Sequence, residues 1–290
     1  IQMYRFGAVE LVPASHRARA ISWVTAGGVV AGVIGPALVR VTHDQWMPVY
    51  LATFAAMVAL HAVVLVLLSF IRFPSSAEVT AEAAAATGTG TLAPPRPLGR
   101  IVAQPRFIVA AIAGMVAYGS MSFLMSASPL AIVACGLPHA EAHWVIFLHV
   151  MGMFVPSFFT GNLITRYGTF PVMLWGVALL TLGILAGLAG MTDWHFRIAL
   201  TLNGVGWNFL FIGATTLLTT TYRANERGKV QAMNDFLVFG TTATASFLAG
   251  FAQERLGWVP LNWSALVLMA VALAAVLWLR LRRQPEPAAA

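Results

Sequence analysis

Charge is scarce in this sequence. Of 290 residues only 9% are Asp, Glu, Lys or Arg, where a soluble domain carries about a quarter. An ordinary water-facing surface cannot be built from so few. Cysteine is almost absent: Cys135 is alone, which excludes an intrachain disulfide and a cysteine-based metal cluster. Neither HExxH nor Gly-x-Ser-x-Gly occurs, and no metal or cofactor is expected. What the chain does have is apolar bulk, with 59% hydrophobic residues and a mean hydropathy of +0.80. Disorder is excluded on the same grounds, because such a chain buries ample apolar surface. A polytopic membrane protein remains.

A helix crosses the hydrocarbon core with about twenty predominantly apolar residues. Eight runs of that length appear: Ala20–Val39, Met47–Phe70, Phe107–Val133, Trp144–Ile164, Phe170–Met191, Ile198–Leu218, Val230–Phe251 and Leu261–Leu279. Together they leave little chain for a soluble domain. Barrel strands would be about ten residues long and strictly alternating, so the expected fold is an all-α membrane bundle.

The net charge of +7 does not mark a nucleic-acid binder, because the basic residues are scattered between apolar runs rather than gathered in a stripe. They sort by loop instead. One set of connections holds Arg17, Arg19, Arg72, Arg96, Arg100, Arg106, Arg166, Arg223, Arg227, Lys229, Arg280, Arg282 and Arg283; the opposite set holds Arg40, Arg197 and Arg255. Basic loops stay cytoplasmic. The bias predicts a cytoplasmic C-terminus and places all eight spans in phase.

Ile71 to Gln104 is the longest connection, an Ala/Thr/Gly stretch followed by Pro94-Pro95-Arg96-Pro97, with the composition of a flexible linker. Two spans precede it and six follow. Residues 1–12 read as the last turns of a helix, so the expectation is an N-terminally truncated bundle. The implied divisions are 1–71, the remnant of one half; 72–106, a cytoplasmic linker; 107–283, a six-helix half; and 284–290, a cytoplasmic tail. Arg17-Ala-Arg-Ala-Ile-Ser, opening the first span, aligns with Arg227-Gly-Lys-Val-Gln-Ala, opening the seventh. An offset of six spans is what parallel six-helix repeats produce. The second, fifth and eighth spans are nearly devoid of polar residues, and the expectation is that every third helix faces lipid.

Three places in the chain resemble the major facilitator superfamily of secondary transporters. Gly161-Asn-Leu-Ile-Thr-Arg-Tyr-Gly168 is similar to its loop signature Gly-x-x-x-Asp-Arg-x-Gly, with Thr165 in place of the acid. Ala31-Gly-Val-Ile-Gly35-Pro36 is similar to the Gly-Pro signature of its fifth helix, with Ser22 at the upstream glycine. Glu226-Arg-Gly-Lys-Val-Gln-Ala-Met-Asn-Asp-Phe, with Gly204-Val-Gly-Trp-Asn-Phe209, resembles a bacterial subgroup that includes proposed riboflavin carriers. The resemblance implies helices five to twelve of a twelve-helix fold. It also implies secondary active transport of a small organic solute by alternating access, with H+ as a candidate coupling ion, in a monomer embedded in the bilayer. Gly35, Pro36, Gly161 and Gly168 become its packing and conformational residues.

Polar residues within spans face protein or a water-filled cavity. Asn203 and Trp207 are four apart and share a helix face; with Asn208, and with Tyr118 and Ser122 at the same spacing on the third span, they are candidate solute contacts. Interhelical hydrogen bonding explains the same residues without a ligand. His149 is a candidate coupling group, because histidine changes charge near neutral pH; a neutral histidine satisfied by a neighbour is the plain alternative. Asp235, with Arg166 and Arg227, is a candidate cytoplasmic gate, although an acid near a helix N-terminus is also stabilised by the helix dipole. Arg5 is a further candidate cavity charge. Apart from Asp235 the spans hold no ionisable carboxylate, lysine or arginine, which favours a neutral or weakly charged solute.

Two other functions compete. A receptor on a carrier fold would bind solute without moving it, and short loops leave such a protein little surface for a partner. An intramembrane enzyme would need a nucleophile and base or a metal, and His139, His143 and His149 carry no accompanying motif. A truncated, inactive product is the remaining alternative.

Overall fold

The computed structural model describes residues 4–10, 12–70 and 93–282. Positions 71–92, most of the expected linker, and 283–290, with the tail, lie outside that set, as do the side chains of Arg5 and three other N-terminal residues. Eight helical segments are long and apolar enough to span a bilayer: Arg17–Thr42, Leu51–Ser69, Pro105–Ala134, His139–Tyr167, Thr169–Ala189, Asp193–Leu218, Ala224–Leu256 and Trp258–Leu281. Among the described residues there is no strand. The all-α expectation holds, and each expected run falls in its own segment with ends that move by a few residues. His139 and His143, expected in an outer loop, belong to the helix His139–Phe154.

Proline divides the helices less often than its count suggests. Pro36 and Pro129 sit inside continuous helices. Pro156 lies at a break, between the helices His139–Phe154 and Ser157–Tyr167, where its missing N–H leaves a carbonyl of the preceding turn without its donor. The first span also divides, at Gly27, into Arg17–Ala26 and Gly28–Thr42. Two sharp reversals need glycine: Gly168, with φ 90°, joins the fourth span to the fifth, and Gly257, with φ 81°, joins the seventh to the eighth. Both conformations are costly for a residue with a Cβ.

The sixth span is the axis of the bundle. It packs against the third, fourth and fifth spans and touches the first. Small residues bring the backbones together: a Cβ on Gly176 would lie 2.5 Å from Leu210 N, and one on Gly206 would lie 2.6 Å from Leu180 N. A Cβ on Gly152 would meet Thr201 O at 2.7 Å. Association in lipid rests on such close packing rather than on expulsion of water. The first span runs beside the fourth, with Gly28 against Phe154, Gly32 against Val150 and Gly161 against Arg19, Ala18 and Ser22.

Burial corrects the every-third-helix expectation in part. The second and eighth spans are largely exposed, as expected, but the fifth is as buried as the fourth, and the seventh is as exposed as the second. The fifth is drawn in by its glycines. The seventh packs on the third, with Thr241 against Gly119, and the hydroxyls of Thr241, Thr242 and Thr244 need no partner on another span because each donates to a carbonyl four residues back, at 2.7–2.9 Å.

Candidate functional site

The third, fourth, sixth and seventh spans converge on Trp207. Its indole stacks on Phe211, with centroids 5.2 Å apart and planes 14° from parallel. Tyr118 of the third span meets Trp207 edge-on at 5.1 Å and Phe211 at 4.7 Å. Phe239 of the seventh span packs on Tyr118 at 5.6 Å, and Phe154 of the fourth on Trp207 at 6.0 Å. Edge-to-face pairs of this kind add stability beyond the area they bury.

The spans that carry this cluster also carry buried polar atoms with no partner among the described residues. Both amide atoms of Asn203, Trp207 Nε1, His149 Nε2 and Ser120 Oγ are buried and have no hydrogen-bond partner among the described residues. Such atoms are uncommon in folded proteins and each calls for an explanation. His149 is anchored: its Nδ1 lies 2.8 Å from Leu200 O. A carbonyl only accepts, so Nδ1 carries a proton, and Nε2 is an acceptor whenever the ring is neutral. Leu200, Asn203, Gly204 and Trp207 lie on one face of the sixth span. The His149 backbone lies against Gly204, which brings His149, Asn203 and Trp207 to the same face.

Asn208 is differently placed. Its Nδ2 donates to Met153 O at 2.6 Å and to Ser157 Oγ at 2.5 Å, and its Oδ1 accepts from Thr160 Oγ1 at 2.6 Å. These bonds bolt the sixth span to the fourth across the break at Pro156. The first span joins the same joint through Ser22, whose hydroxyl donates to Ser157 O at 2.5 Å and accepts from Gly161 N at 2.8 Å. Ser122 is half-buried one turn beyond Tyr118.

The remaining candidates lie apart from the aromatic cluster. Asp235 is half-buried and accepts from Asn234 Nδ2 at 3.2 Å. Arg166 is exposed, its guanidinium 5.2 Å above the Tyr167 ring, and Arg227 begins the helix Arg227–Leu256. Gly168 makes the turn already described. A Cβ at Gly35 would meet nothing within 4 Å among the described residues, and the neighbouring Pro36 is exposed; close packing of the first span falls one to two turns earlier, at Gly28 and Gly32. Among the described residues no cluster of His, Cys, Asp and Glu could hold a metal.

Sequence reasoning missed a second connection altogether. Arg96, in the proline-rich part of the linker, donates from Nε to Glu226 Oε1 at 2.8 Å and from Nη2 to Oε2 at 2.5 Å, and its backbone N–H also reaches Oε1 at 2.8 Å. Lys229 donates to the Arg96 carbonyl. Gln104 donates to Thr221 O at 3.1 Å, and Asn225 to Ala93 O at the same distance. The hydrogen bond to the carboxylate raises the Arg96 pKa above its ordinary value. Glu226 is 1% exposed. The signal available in the sequence was an acid among basic residues at a span's start, which says nothing of its partner.

Residues 110–290 match the family model "Major Facilitator Superfamily". The chain is also 40% identical over 292 residues to "Riboflavin transporter RfnT" of Brucella anthropi, a match covering all of this chain and 70% of that protein. The chain belongs to the Major Facilitator Superfamily. Two Bacillus subtilis members, "Uncharacterized MFS-type transporter YddS" and "Uncharacterized MFS-type transporter YdeG", are 27% and 26% identical over 287 and 288 residues, covering 94% and 95% of this chain and 65% and 66% of their own lengths. The chain thus spans about two thirds of the length of these relatives. Membership makes it a multi-pass membrane protein of a transport family rather than an enzyme.

Proposed function

We propose that this superfamily member carries a small, planar, uncharged or weakly charged solute of the flavin type across the bilayer by alternating access. Residues 1–71 and 107–283 belong to opposite halves joined by 72–106. The observation that carries this reading is the coincidence, on one face of the sixth span, of a stacked aromatic cluster with buried polar atoms that lack partners among the described residues. A flat heteroaromatic solute brings a ring suited to aromatic surroundings and groups for the polar atoms to bond. The name of the Brucella anthropi relative supports the flavin class. Trp207, Tyr118 and Asn203 contact the solute, Ser122 lies one turn further along the same wall, and Asn208 holds the fourth and sixth spans together. Asp235, Arg166 and Arg227 act at the cytoplasmic mouth, with the C-terminus inside and a single copy as the working unit.

The test is uptake of radiolabelled riboflavin by vesicles containing the protein. Saturable uptake that excess unlabelled riboflavin abolishes supports the reading; uptake no greater than in protein-free vesicles contradicts it. His149, the one histidine in the buried set among the described residues, favours proton coupling as a further feature. A protonophore then collapses accumulation in the wild type, and His149→Gln transports without responding to it.

A further inference from the structure

The unpartnered atoms on the sixth span form a chemical pattern. Trp207 Nε1 is a donor only; Asn203 offers an acceptor, Oδ1, and a donor, Nδ2; all three are buried with no partner among the described residues. Two donors and one acceptor are the groups that a ring imide needs, in which a carbonyl, an N–H and a second carbonyl stand in a row. We infer that Asn203 and Trp207 read the imide edge of the solute's ring, with Asn203 Oδ1 accepting from the ring N–H. This rests on the proposed function and adds to it a selection by hydrogen-bond pattern rather than by ring size.

The physical basis is the cost of the alternative. Asn203 and Trp207 are each 1% exposed, so water does not substitute freely for a missing ligand group. A solute lacking the N–H leaves Oδ1 buried and unbonded, and one carrying a methyl there also collides with it. Sites built around a solute's polar hydrogen discriminate strongly against analogues without it, because the buried group is left unpaired. His149 Nε2 stands on the same face as a second acceptor, and its chemistry suits a hydroxyl donor elsewhere on the solute rather than the imide.

The probes are riboflavin, whose ring carries the imide, and its 3-methyl derivative, in which N–CH3 replaces the N–H. Binding to the purified full chain is followed by quenching of ring fluorescence. The wild type is expected to bind riboflavin roughly tenfold to a hundredfold more tightly than the 3-methyl derivative, the range for leaving one buried polar group unpaired. Asn203→Leu, similar in volume, is expected to bind the two within about threefold of each other, as it has no acceptor left to lose. Trp207→Phe keeps a ring to stack and loses one donor, so it weakens both ligands while retaining the preference. That split ties the N–H preference to Asn203 and guards against a general loss of fold, as does a monodisperse elution profile for each variant. Equal affinities in the wild type, or a preference that survives in Asn203→Leu, overturn the inference while leaving riboflavin as a ligand. Absence of riboflavin binding by the wild type overturns the proposed function, and this inference with it.

Discussion

Asn203 and Asn208 are five residues apart on one helix, and the structure gives them opposite circumstances. Asn208 is saturated by Met153, Ser157 and Thr160, whereas Asn203 has both amide atoms unbonded among the described residues. Replacing Asn208 with Leu therefore strands buried groups on the fourth span. The expected loss is about 1–3 kcal/mol, seen as a lower melting temperature in detergent. Asn203→Leu strands nothing and is expected to melt within a degree or two of the wild type; a larger drop than that of Asn208→Leu would contradict this contrast. Gly161→Ala is a third test at this scale. Its Cβ would lie 2.6 Å from the Arg19 Cα, backbone that cannot step aside cheaply, and overpacking of this kind costs roughly 1–3 kcal/mol. That the sixth span carries polar residues on a buried face was legible from residue type and spacing. Which asparagine is a bolt and which is open was not, because that depends on which groups of another helix, at the break beside Pro156, face the sixth span.

At the level of elements, the clamp between the linker and the start of the seventh span is the least foreseeable feature. Eight spans could be read from hydropathy because length and lipid exposure dictate their composition. Arg96 and Glu226 are 130 residues apart, and nothing periodic connects them. The carboxylate is buried and the guanidinium partly exposed, with side-chain exposures of 0% and 30%. Removing the arginine leaves a buried charge without its counterion, at a cost of about 3 kcal/mol. Arg96→Ala is therefore expected to lower thermal stability markedly and to open the linker near Arg96 to protease. Arg96→Ala combined with Glu226→Gln recovers part of the loss, because the second change removes the stranded charge. If the single and double variants melt together, the pair is not the clamp described. The seventh span shows the opposite limit of sequence reading. It stands outside the apolar every-third series, yet its threonine hydroxyls, bonded to their own backbone, place no demand on a neighbour.

For the whole molecule, the excess of basic residues in one set of loops predicts which side of the membrane each connection occupies. Cys135 follows the third span, is exposed, and is the single cysteine of the chain, so it reports orientation without any mutation. A membrane-impermeant maleimide is expected to label it from outside intact cells; labelling that requires permeabilisation would reverse the orientation. The lateral arrangement rests on the first span lying along the fourth, joined at Ser22, Ser157 and Gly161. In alternating access that contact must slide or part. The central claim is that these spans move a planar heteroaromatic solute by exposing one site to each side in turn, and solute counterflow tests it most directly. Vesicles preloaded with unlabelled riboflavin and diluted into a trace of labelled riboflavin are expected to accumulate label transiently above its equilibrium level, with no overshoot for Trp207→Ala. Labelled riboflavin that rises only to equilibrium, or stays bound to the protein without entering the lumen, would contradict the account.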